Sequence, residues 1–303
     1  MEMKNRKRLG HLCCIVSTVI WGTTSISAKI LLEQLQPIQI LLLRFVIGIT
    51  VLSLIHPKRF FRHEGRGEIY YVLAGFFGIC LYFYLDHVAL LFTTAANMGV
   101  LSAVSPVITV ILAQIFLKEN GIHKWYVIGC VLSMVGVALF YINGARLKLN
   151  PLGDSIVMLG NLAWGFYIIF LKKIDRFKRD TLFVTRRVMV YGLLFLTLFF
   201  FVSGKRYEWS VVGDYRIIAH LLYLGIGASA LCFIGWNFGI KVLGATKSSI
   251  YGYLGPVVTL TGSILILHER VTAMQIAGAV MILTGVILSE RKVEKEIRDV
   301  EYN

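Results

Sequence analysis

The stretch WGTTSISAK, residues 21–29, returns as WGFYIIFLK, residues 164–172, with Trp, Gly and Lys in matching places. The same interval of 143 residues relates Arg44 to Arg187, one apolar stretch further along. Beyond these residues the interval becomes 150 and then 149, and it relates these pairs: Gly75 and Gly225, Pro106 and Pro256, Glu119 and Glu269, Gly129 and Gly278, and Gly136 and Gly285. Because loops absorb insertions, such small changes of interval are typical of a unit that was duplicated whole.

The composition predicts that the lipid bilayer is the solvent of this chain. Of its 303 residues, 57% are hydrophobic and 16% are charged, and the mean hydropathy is +0.72. A membrane-spanning helix needs about 20 mainly apolar residues. The stretches that meet this need are 10–32, 38–55, 68–90, 94–117, 124–142, 154–172, 182–202, 216–240, 245–267 and 272–289. The sequence therefore predicts an all-α integral membrane protein with ten transmembrane helices, five in each half.

The two halves are predicted to be repeats in opposite orientations. Residues 1–143 form the first five-helix repeat and residues 144–303 the second, with the turn-type dipeptides Asn143-Gly144 and Asn150-Pro151 near the boundary. A unit that crosses the membrane an odd number of times must lie upside down in its second copy. Inverted repeats of this kind build many secondary transporters, so transport is the leading functional hypothesis.

The basic residues predict a membrane topology. A formal net charge of +14 is compatible with nucleic-acid binding, so the placement of the charges must decide. If the N-terminus is cytoplasmic, 21 Lys and Arg residues fall in inside segments and 6 in outside segments. This bias predicts a multi-pass protein of the cytoplasmic membrane with both termini in the cytoplasm, and it argues against nucleic-acid binding. The apolar stretch after Arg8 is longer than a signal-peptide core, so the first span is expected to remain.

No sequence motif indicates catalysis, a metal or a cofactor. All five cysteines lie in predicted spans without metal spacing, so they are expected to act as small apolar side chains. The stretch GATKS, residues 244–248, lacks the glycine spacing of a phosphate-binding loop, and His268-Glu269 lacks the second histidine of a zinc motif. We therefore expect no enzyme activity, no cofactor and no metal site.

Prolines inside two predicted spans indicate an interrupted backbone. Pro106 and Pro256 would free the carbonyls four residues earlier, those of Ser102 and Gly252. A free carbonyl in the membrane is tolerated where it faces a water-filled cavity or protein, so a cavity and a packing kink are the two alternatives. The first of these spans has a small or polar face made of Met98, Ser102, Ser105 and Thr109, and its counterparts in the second half are Ser248, Gly252, Gly255 and Thr259.

Two tryptophans lie too deep in their spans to be interfacial anchors. Trp21 and Trp164 are matched in the two halves, and a buried indole N–H needs a partner. Each is therefore expected either to bond a neighbouring helix or to face a pathway. Trp21 belongs to the stripe Ser17, Trp21, Thr24 and Ala28, which is mirrored by Gly160, Trp164, Tyr167 and Leu171.

Ionisable residues within the predicted spans form a charge cluster. Lys29, Arg44 and Asp86 approach the same outer side of the membrane, whereas Arg187 lies near the inner side. An unpaired charge at mid-depth costs about 2.5–3.5 kcal/mol on insertion scales, so Asp86 is expected to pair with Arg44 or Lys29. Snorkelling of the two bases to the headgroups is the alternative. The counterpart of Asp86 is Trp236, so this acid has no equal in the second half and is a candidate for binding a proton, a cation or an amine.

These features, in their order and duplication, resemble the EamA family of the drug/metabolite transporter superfamily. The resemblance covers about residues 10–289 and rests on the two Trp-Gly helices, the prolines of the fourth helices, the endings at Glu119 and Glu269, and the two Gly-x6-Gly-Val stretches that begin at Gly129 and Gly278. It implies a bundle with a central cavity between the repeats, alternating access, and export of amino acids, related metabolites or drugs. Asp86 is not part of the family pattern, so its role cannot be carried over. Glu119 and Glu269 are predicted to anchor structure.

The resulting prediction is a secondary transporter, an exporter of a small polar or amphipathic metabolite, with protons as a candidate coupling ion and no indication of an oligomer. Its candidate substrate-binding residues are Trp21, Thr24, Asn97, Ser102, Trp164, Trp236 and Tyr253. One alternative is a carrier of nucleotide sugars or sugar phosphates, which would hold an anion with Arg44, Arg187, Lys172 or Lys247. An integral-membrane enzyme acting on lipid and a non-transporting scaffold are the alternatives from other classes.

Overall fold

The computed structural model describes residues 2–57, 64–93, 98, 101–118, 124–142, 150–203, 210–255, 257–258 and 272–301. In these ranges all regular structure is helical. The helices, numbered in chain order, are α1 (Glu2–Leu32), α2 (Pro37–Ile55), α3 (Gly65–Ala89), α4 (Ser105–Leu117), α5 (Lys124–Ile142), α6 (Pro151–Ile174), α7 (Thr181–Val202), α8 (Tyr215–Leu243), α9 (Ala245–Ser249) and α10 (Ala273–Glu301). A 3-10 turn, Ile250–Tyr253, follows α9.

Several of these helices suit a lipid bilayer. Among the described residues, α2, α3, α6, α7 and α8 are long and apolar enough to cross a membrane, and α4, α5 and α10 contain shorter apolar stretches. Large apolar side chains face outward, with Leu54 76% exposed and Val202 75% exposed. Outward apolar side chains are what lipid-facing helix surfaces require. The prediction of an all-helical membrane protein is confirmed, whereas the count of ten spans stays a prediction.

Helix starts follow from local sequence. The side chain of Asn150 accepts a hydrogen bond from the backbone N–H of Gly153 at 3.2 Å, and Pro151 is the first residue of α6. Asp180 and Asp214 cap α7 and α8 in the same way. Asn and Asp at the cap and proline in the first turn are favoured because both serve the unpaired N–H groups of a helix start. The Asn150-Pro151 pair, predicted as a turn, therefore also starts a helix.

The stretch around Pro106 is interrupted directly before the proline. Residues 103 and 104 form a turn, and α4 starts at Ser105 with the proline in its first turn. The missing N–H of proline costs no hydrogen bond there. The predicted interruption of this stretch therefore lies at the turn before Pro106, and the proline is in the first turn of the helix that follows. Pro256, Glu119 and Glu269 lie outside the described residues.

The first helix of each half packs against the third helix of the other half. Trp21 Nε1 donates to the carbonyl of Ala228 at 3.0 Å, and Ser27 Oγ lies 3.1 Å from His220 Nδ1, so α1 and α8 are antiparallel. The antiparallel pair of α6 and α3 is marked by ring contacts, with centroid distances of 4.8 Å between Trp164 and Tyr82 and 6.4 Å between Phe170 and Tyr70.

Contacts between helix ends define the two ends of the bundle. Leu243, at the end of α8, packs on Gly10 of α1. Lys241 Nζ donates to the carbonyl of Arg179, which precedes α7, and Arg179 pairs with Glu64, which precedes α3. The starts of α1, α3 and α7 therefore meet the ends of α6 and α8. We call this end of the bundle the proximal end, and the end at which α1 finishes the distal end.

Helices α5 and α10 cross at matched glycines. A Cβ atom on Gly129 would lie 2.4 Å from the carbonyl oxygen of Gly285, and one on Gly136 would lie 2.7 Å from the carbonyl oxygen of Gly278. Between these contacts, Ser133 Oγ donates to the carbonyl of Ile282 at 3.3 Å. Small residues let helix backbones approach closely in a membrane, so these glycines fix the antiparallel crossing.

Wide turns occur at matching places in α3 and α8. The residues Gly75–Leu81 and Tyr223–Leu231 are π-helical. A Cβ on Gly75 would lie 2.7 Å from the backbone nitrogen of Gly192 in α7, so only glycine permits this approach. Single π-helical turns are frequent at functional sites, and both segments lead directly into helix that lines the cavity described below.

Candidate functional site

A cavity of about 440 Å³ lies inside the bundle. Its wall on α1 extends from Thr18 to Ala28, and its wall on α3 from Tyr82 to His87, both in the distal halves of these helices, and Leu90 follows directly after α3. Further walls come from α2, α4, α6, α8 and the turn after α9. This volume suits a small molecule, since ligand pockets typically measure about 300–1,000 Å³.

Three tryptophans meet at one wall of the cavity. The ring centroids of Trp21 and Trp164 are 5.8 Å apart, and Trp236 lies 5.2 Å from Trp21 and 6.2 Å from Trp164. Phe233 and Tyr82 extend the cluster, at 5.5 Å from Trp21 and 4.8 Å from Trp164. Aromatic faces of this kind hold apolar groups by contact and cations by their quadrupoles.

The indole N–H groups of Trp21 and Trp236 differ in their hydrogen bonding. Trp21 Nε1 donates to the carbonyl of Ala228, within the π-helical turn of α8. Trp236 is 2% exposed, and its Nε1 has no hydrogen-bond partner among the described residues. A buried donor without a partner is costly, so the Trp236 N–H can be offered to a bound molecule.

Arg44 supplies a positive charge from α2. It is 2% exposed, and its Nε donates to Ser229 Oγ at 3.0 Å. Its guanidinium carbon lies 4.7 Å from the ring centroid of Phe83 and 5.2 Å from that of Phe45. The rings and the hydroxyl hold the guanidinium in place, and Arg44 lines the cavity.

Asp86 and His87 line the cavity from α3 and lie near Arg44. His87 Nδ1 lies 2.9 Å from the carbonyl of Phe83, and because a carbonyl only accepts, this nitrogen carries the proton. His87 Nε2 then has a free lone pair, and it is buried without a partner in the described part of the chain. Asp86 Oδ2 lies 3.6 Å from His87 Nδ1 and interacts with Arg44 electrostatically. Among the described residues, Asp86 and Arg44 make no direct ion pair within 4 Å.

Small and polar residues form the opposite wall. The face predicted on the fourth stretch lines the cavity with Met98, Ser102, Ser105 and Thr109, together with Pro106. Its counterpart in the second half contributes Gly252 and Gly255, and a Cβ on Gly252 would lie 4.0 Å from the ring of Pro106. The two broken segments therefore meet at the cavity.

Most of the predicted candidate residues come together in this cavity. The wall includes Trp21, Thr24, Ser102, Trp164, Trp236 and Tyr253 from the predicted binding set, and Arg44 and Asp86 from the predicted charge cluster. Asn97 and the side chain of Lys29 lie outside what the structure describes. Arg187 lies at the proximal end, where its guanidinium pairs with Glu68.

Sequence reasoning missed Asn161 and Tyr82, which also line the cavity. Asn161 is 3% exposed, and its Nδ2 donates to the carbonyl of Leu101 at 3.0 Å, next to the turn before α4. Its polar amide within an apolar stretch, three residues before Trp164, is a signal that could have found it. Tyr82 carried no such signal because aromatic residues are common throughout these spans.

Metal binding finds no support among the described residues, which contain no group of three or more His, Cys, Asp or Glu side chains able to hold an ion.

Comparison with known proteins identifies the family. The model of the EamA-like transporter family matches this chain twice, over residues 8–142 and 151–291. The uncharacterized transporter YyaM of Bacillus subtilis is 30% identical over 230 residues, which are 73% of each chain. An uncharacterized transporter of Archaeoglobus fulgidus is 25% identical over 279 residues, covering 91% of this chain and 97% of that protein. A solved crystal structure with 19% identity superposes with a TM-score of 0.76 over 94% of this chain and 98% of the other, which shows a shared fold.

The helices, the cavity and these matches agree: the chain is a multi-pass membrane protein with a small-molecule substrate, and it belongs to the EamA-like transporter family.

Proposed function

We propose that this protein is a secondary carrier that exports an amino acid or a related small metabolite by alternating access. The proposal includes two inverted repeats, residues 1–143 and 144–303, with the cavity between them. It also places the protein in the cytoplasmic membrane with both termini inside, because most basic loop residues then lie on the cytoplasmic side.

The contacts between helices support the inverted arrangement. Helix α1 begins at the proximal end, whereas its counterpart α6 finishes there. The crossing of α5 and α10 is reciprocal, since Gly129 meets Gly285 and their counterparts Gly278 and Gly136 meet each other. Such an exchange of partners is what a twofold axis in the membrane plane produces.

The observation that carries the proposal is the composition of the cavity wall. Both halves contribute to it, with Trp21, Arg44 and Asp86 from the first half and Trp164, Trp236 and Tyr253 from the second. A site at the junction of two repeats can be exposed to either side by a movement of one half against the other. The described part of the wall combines an aromatic surface with the basic side chain of Arg44 and the acidic side chain of Asp86, which fits a small molecule that carries both charges.

The anion-carrier alternative receives less support. Lys172 Nζ is 3.2 Å from Asp175, and Arg187 pairs with Glu68, so both bases are neutralised by acids. Lys172, Arg187 and Lys247 are not among the residues that line the cavity. Arg44 is therefore the one candidate of that set at the described wall, and Asp86 would repel an anion bound beside it.

Counterflow in proteoliposomes tests the proposal. Purified protein is reconstituted in vesicles loaded with unlabelled amino acids, and uptake of each labelled compound is measured with and without a proton gradient. We expect uptake of at least one compound, and a loss of about tenfold or more in Trp164→Ala but not in Trp125→Ala, which alters a tryptophan that does not line the cavity.

Other outcomes would contradict the proposal. Competition by anionic but not zwitterionic compounds would indicate the sugar-phosphate type of carrier. Turnover of a lipid would indicate an enzyme, and the absence of counterflow for any metabolite would leave a non-transporting protein.

A dependence of uptake on the proton gradient would identify the proton as the coupling ion.

A further inference from the structure

Two ion pairs join α3 to the α7 region at the proximal end. Arg187 Nη2 donates to Glu68 Oε2 at 2.5 Å, and Arg179 Nε donates to Glu64 Oε1 at 2.6 Å. Three of the four side chains are at most 14% exposed, and Arg179 is 27% exposed. We call Glu64, Glu68, Arg179 and Arg187 the proximal clamp.

Further bonds tie the proximal clamp to its surroundings. Tyr191 donates its hydroxyl hydrogen to Glu68 Oε1 at 2.6 Å, and Lys241 at the end of α8 donates to the carbonyl of Arg179 at 2.5 Å. The hydrogen bond to Glu64 raises the pKa of Arg179 above its ordinary value, so this guanidinium stays charged. The clamp therefore connects three helices that would have to separate for a pathway to open between them.

A buried polar network of α6, α7 and α8 lies beside the proximal clamp. Tyr167 donates its hydroxyl hydrogen to Asn237 Oδ1 at 2.7 Å, and Asn237 Nδ2 donates to Thr185 Oγ1 at 2.9 Å. All three residues are at most 5% exposed. They come from α6, α8 and α7, and Tyr167 touches Trp164 of the cavity wall at 4.9 Å between ring centroids. Besides the clamp, this network therefore also joins helices in the proximal half of the bundle.

The proximal clamp and the cavity lie at opposite ends of α3. Glu68 and Asp86 are eighteen residues apart on this helix, which corresponds to about 27 Å at 1.5 Å per residue. The clamp therefore does not touch a molecule bound in the cavity. Its effect on transport must come from holding helices together.

The clamp has no equivalent at the distal end among the described residues. Arg187 repeats Arg44, but Glu68 corresponds to Ile218, so the matching acid is absent. Arg44 instead donates to Ser229. If the two halves are inverted repeats, the carrier has one state closed at the proximal end and one closed at the distal end. Because the ion pair stabilises only the first of these states, the two states differ in energy.

We propose that the proximal clamp is the gate of the proximal end, and that its two ion pairs break each time the carrier opens on that side. This inference rests on the proposed alternating-access function. Neutralising one partner removes the ion pair from a partly buried charge, which destabilises the closed form. Neutralising Glu68 or Glu64 therefore shifts the population towards a form that is open at the proximal end and closed at the distal end.

Hydrogen–deuterium exchange of the full chain in nanodiscs of phosphatidylethanolamine and phosphatidylglycerol tests the gate without any substrate. In Glu68→Gln we expect exchange about threefold faster or more in residues 64–74 and 178–188. At the same time we expect slower exchange at the distal end, in residues 24–32 and 84–92. This reciprocal response separates gating from local loosening, which would accelerate exchange near the clamp alone.

Matched variants complete the test. Asp175→Asn removes the pair with Lys172, which lies at the same end but joins neighbouring residues of one segment, so it should leave the distal end unchanged. Glu64→Gln serves if Glu68→Gln fails to fold, and Glu64→Arg combined with Arg179→Glu should restore the wild-type pattern. Acceleration confined to the clamp in both glutamine variants, or no change in either, would overturn the gate. A reciprocal response in a protein without counterflow would keep the gate and overturn the proposed transport function instead.

Discussion

Replacing Trp21 and Trp236 by phenylalanine removes the same atoms from two indoles of one cluster, but the structure predicts different losses. Trp21 Nε1 donates to the carbonyl of Ala228 at 3.0 Å, whereas Trp236 Nε1 has no partner among the described residues. Trp21→Phe therefore breaks a hydrogen bond between α1 and α8. Trp236→Phe removes an unpaired donor.

The magnitude follows from this difference. Both variants lose similar ring area, so the packing cost is shared and largely cancels in the comparison. A hydrogen bond in a protein contributes about 0.5–1.5 kcal/mol, and bonds between membrane helices average about 0.6 kcal/mol. We expect Trp21→Phe to be less stable than Trp236→Phe by about 1 kcal/mol.

Unfolding in mixed micelles, followed by circular dichroism, measures the two free energies of unfolding under one condition. The transport assay gives the complementary result, because a donor that is free in this state is available to a substrate. Trp236→Phe should raise the apparent KM about threefold to tenfold, corresponding to one neutral hydrogen bond. Equal stability losses in the two variants would refute the assignment of the indole hydrogens.

Three further predictions concern single positions. Asp86→Asn should reduce counterflow about tenfold or more while the protein still inserts, because it removes the acid of the cavity wall, and wild-type rates in proteoliposomes would remove Asp86 from the mechanism. Gly285→Ala should cost about 1–3 kcal/mol in the free energy of unfolding, since its Cβ would lie 2.4 Å from a backbone oxygen, whereas Gly213→Ala, with open space around it, should be neutral. Asn150→Ala should cost about 1 kcal/mol by removing the cap of α6, and an unchanged unfolding midpoint would argue against that cap.

Much of the cavity wall could be predicted because its residues break the apolar composition of a span. Trp21 and Trp164 lie too deep to be anchors, and Arg44 and Asp86 carry charge where lipid excludes it. Such residues are costly unless they face a cavity or a partner, so their positions alone indicate the inside of the bundle. The structure brings all four to one cavity.

Other features could not be predicted because they depend on contacts between distant segments. Nothing in the sequence near Glu68 indicates that it meets Arg187, which is 119 residues further along. Pro106 carries the same local signal whether it breaks a helix or begins one, and the turn before it decides. That the N–H of Trp21 has a partner and that of Trp236 has none among the described residues also could not be predicted, because it depends on which backbone carbonyls lie next to each ring.

Topology labelling tests whether the two halves of the chain lie in opposite orientations in the membrane. Glu33, after α1, and Arg176, after α6, are exposed counterparts at the interval of 143 residues. Single cysteines at these positions, placed in a chain without its native cysteines, are treated in intact cells with a membrane-impermeant maleimide. We expect the cysteine at position 33 to be labelled from outside and the one at position 176 only after the cells are opened. Labelling of both from the same side would contradict it.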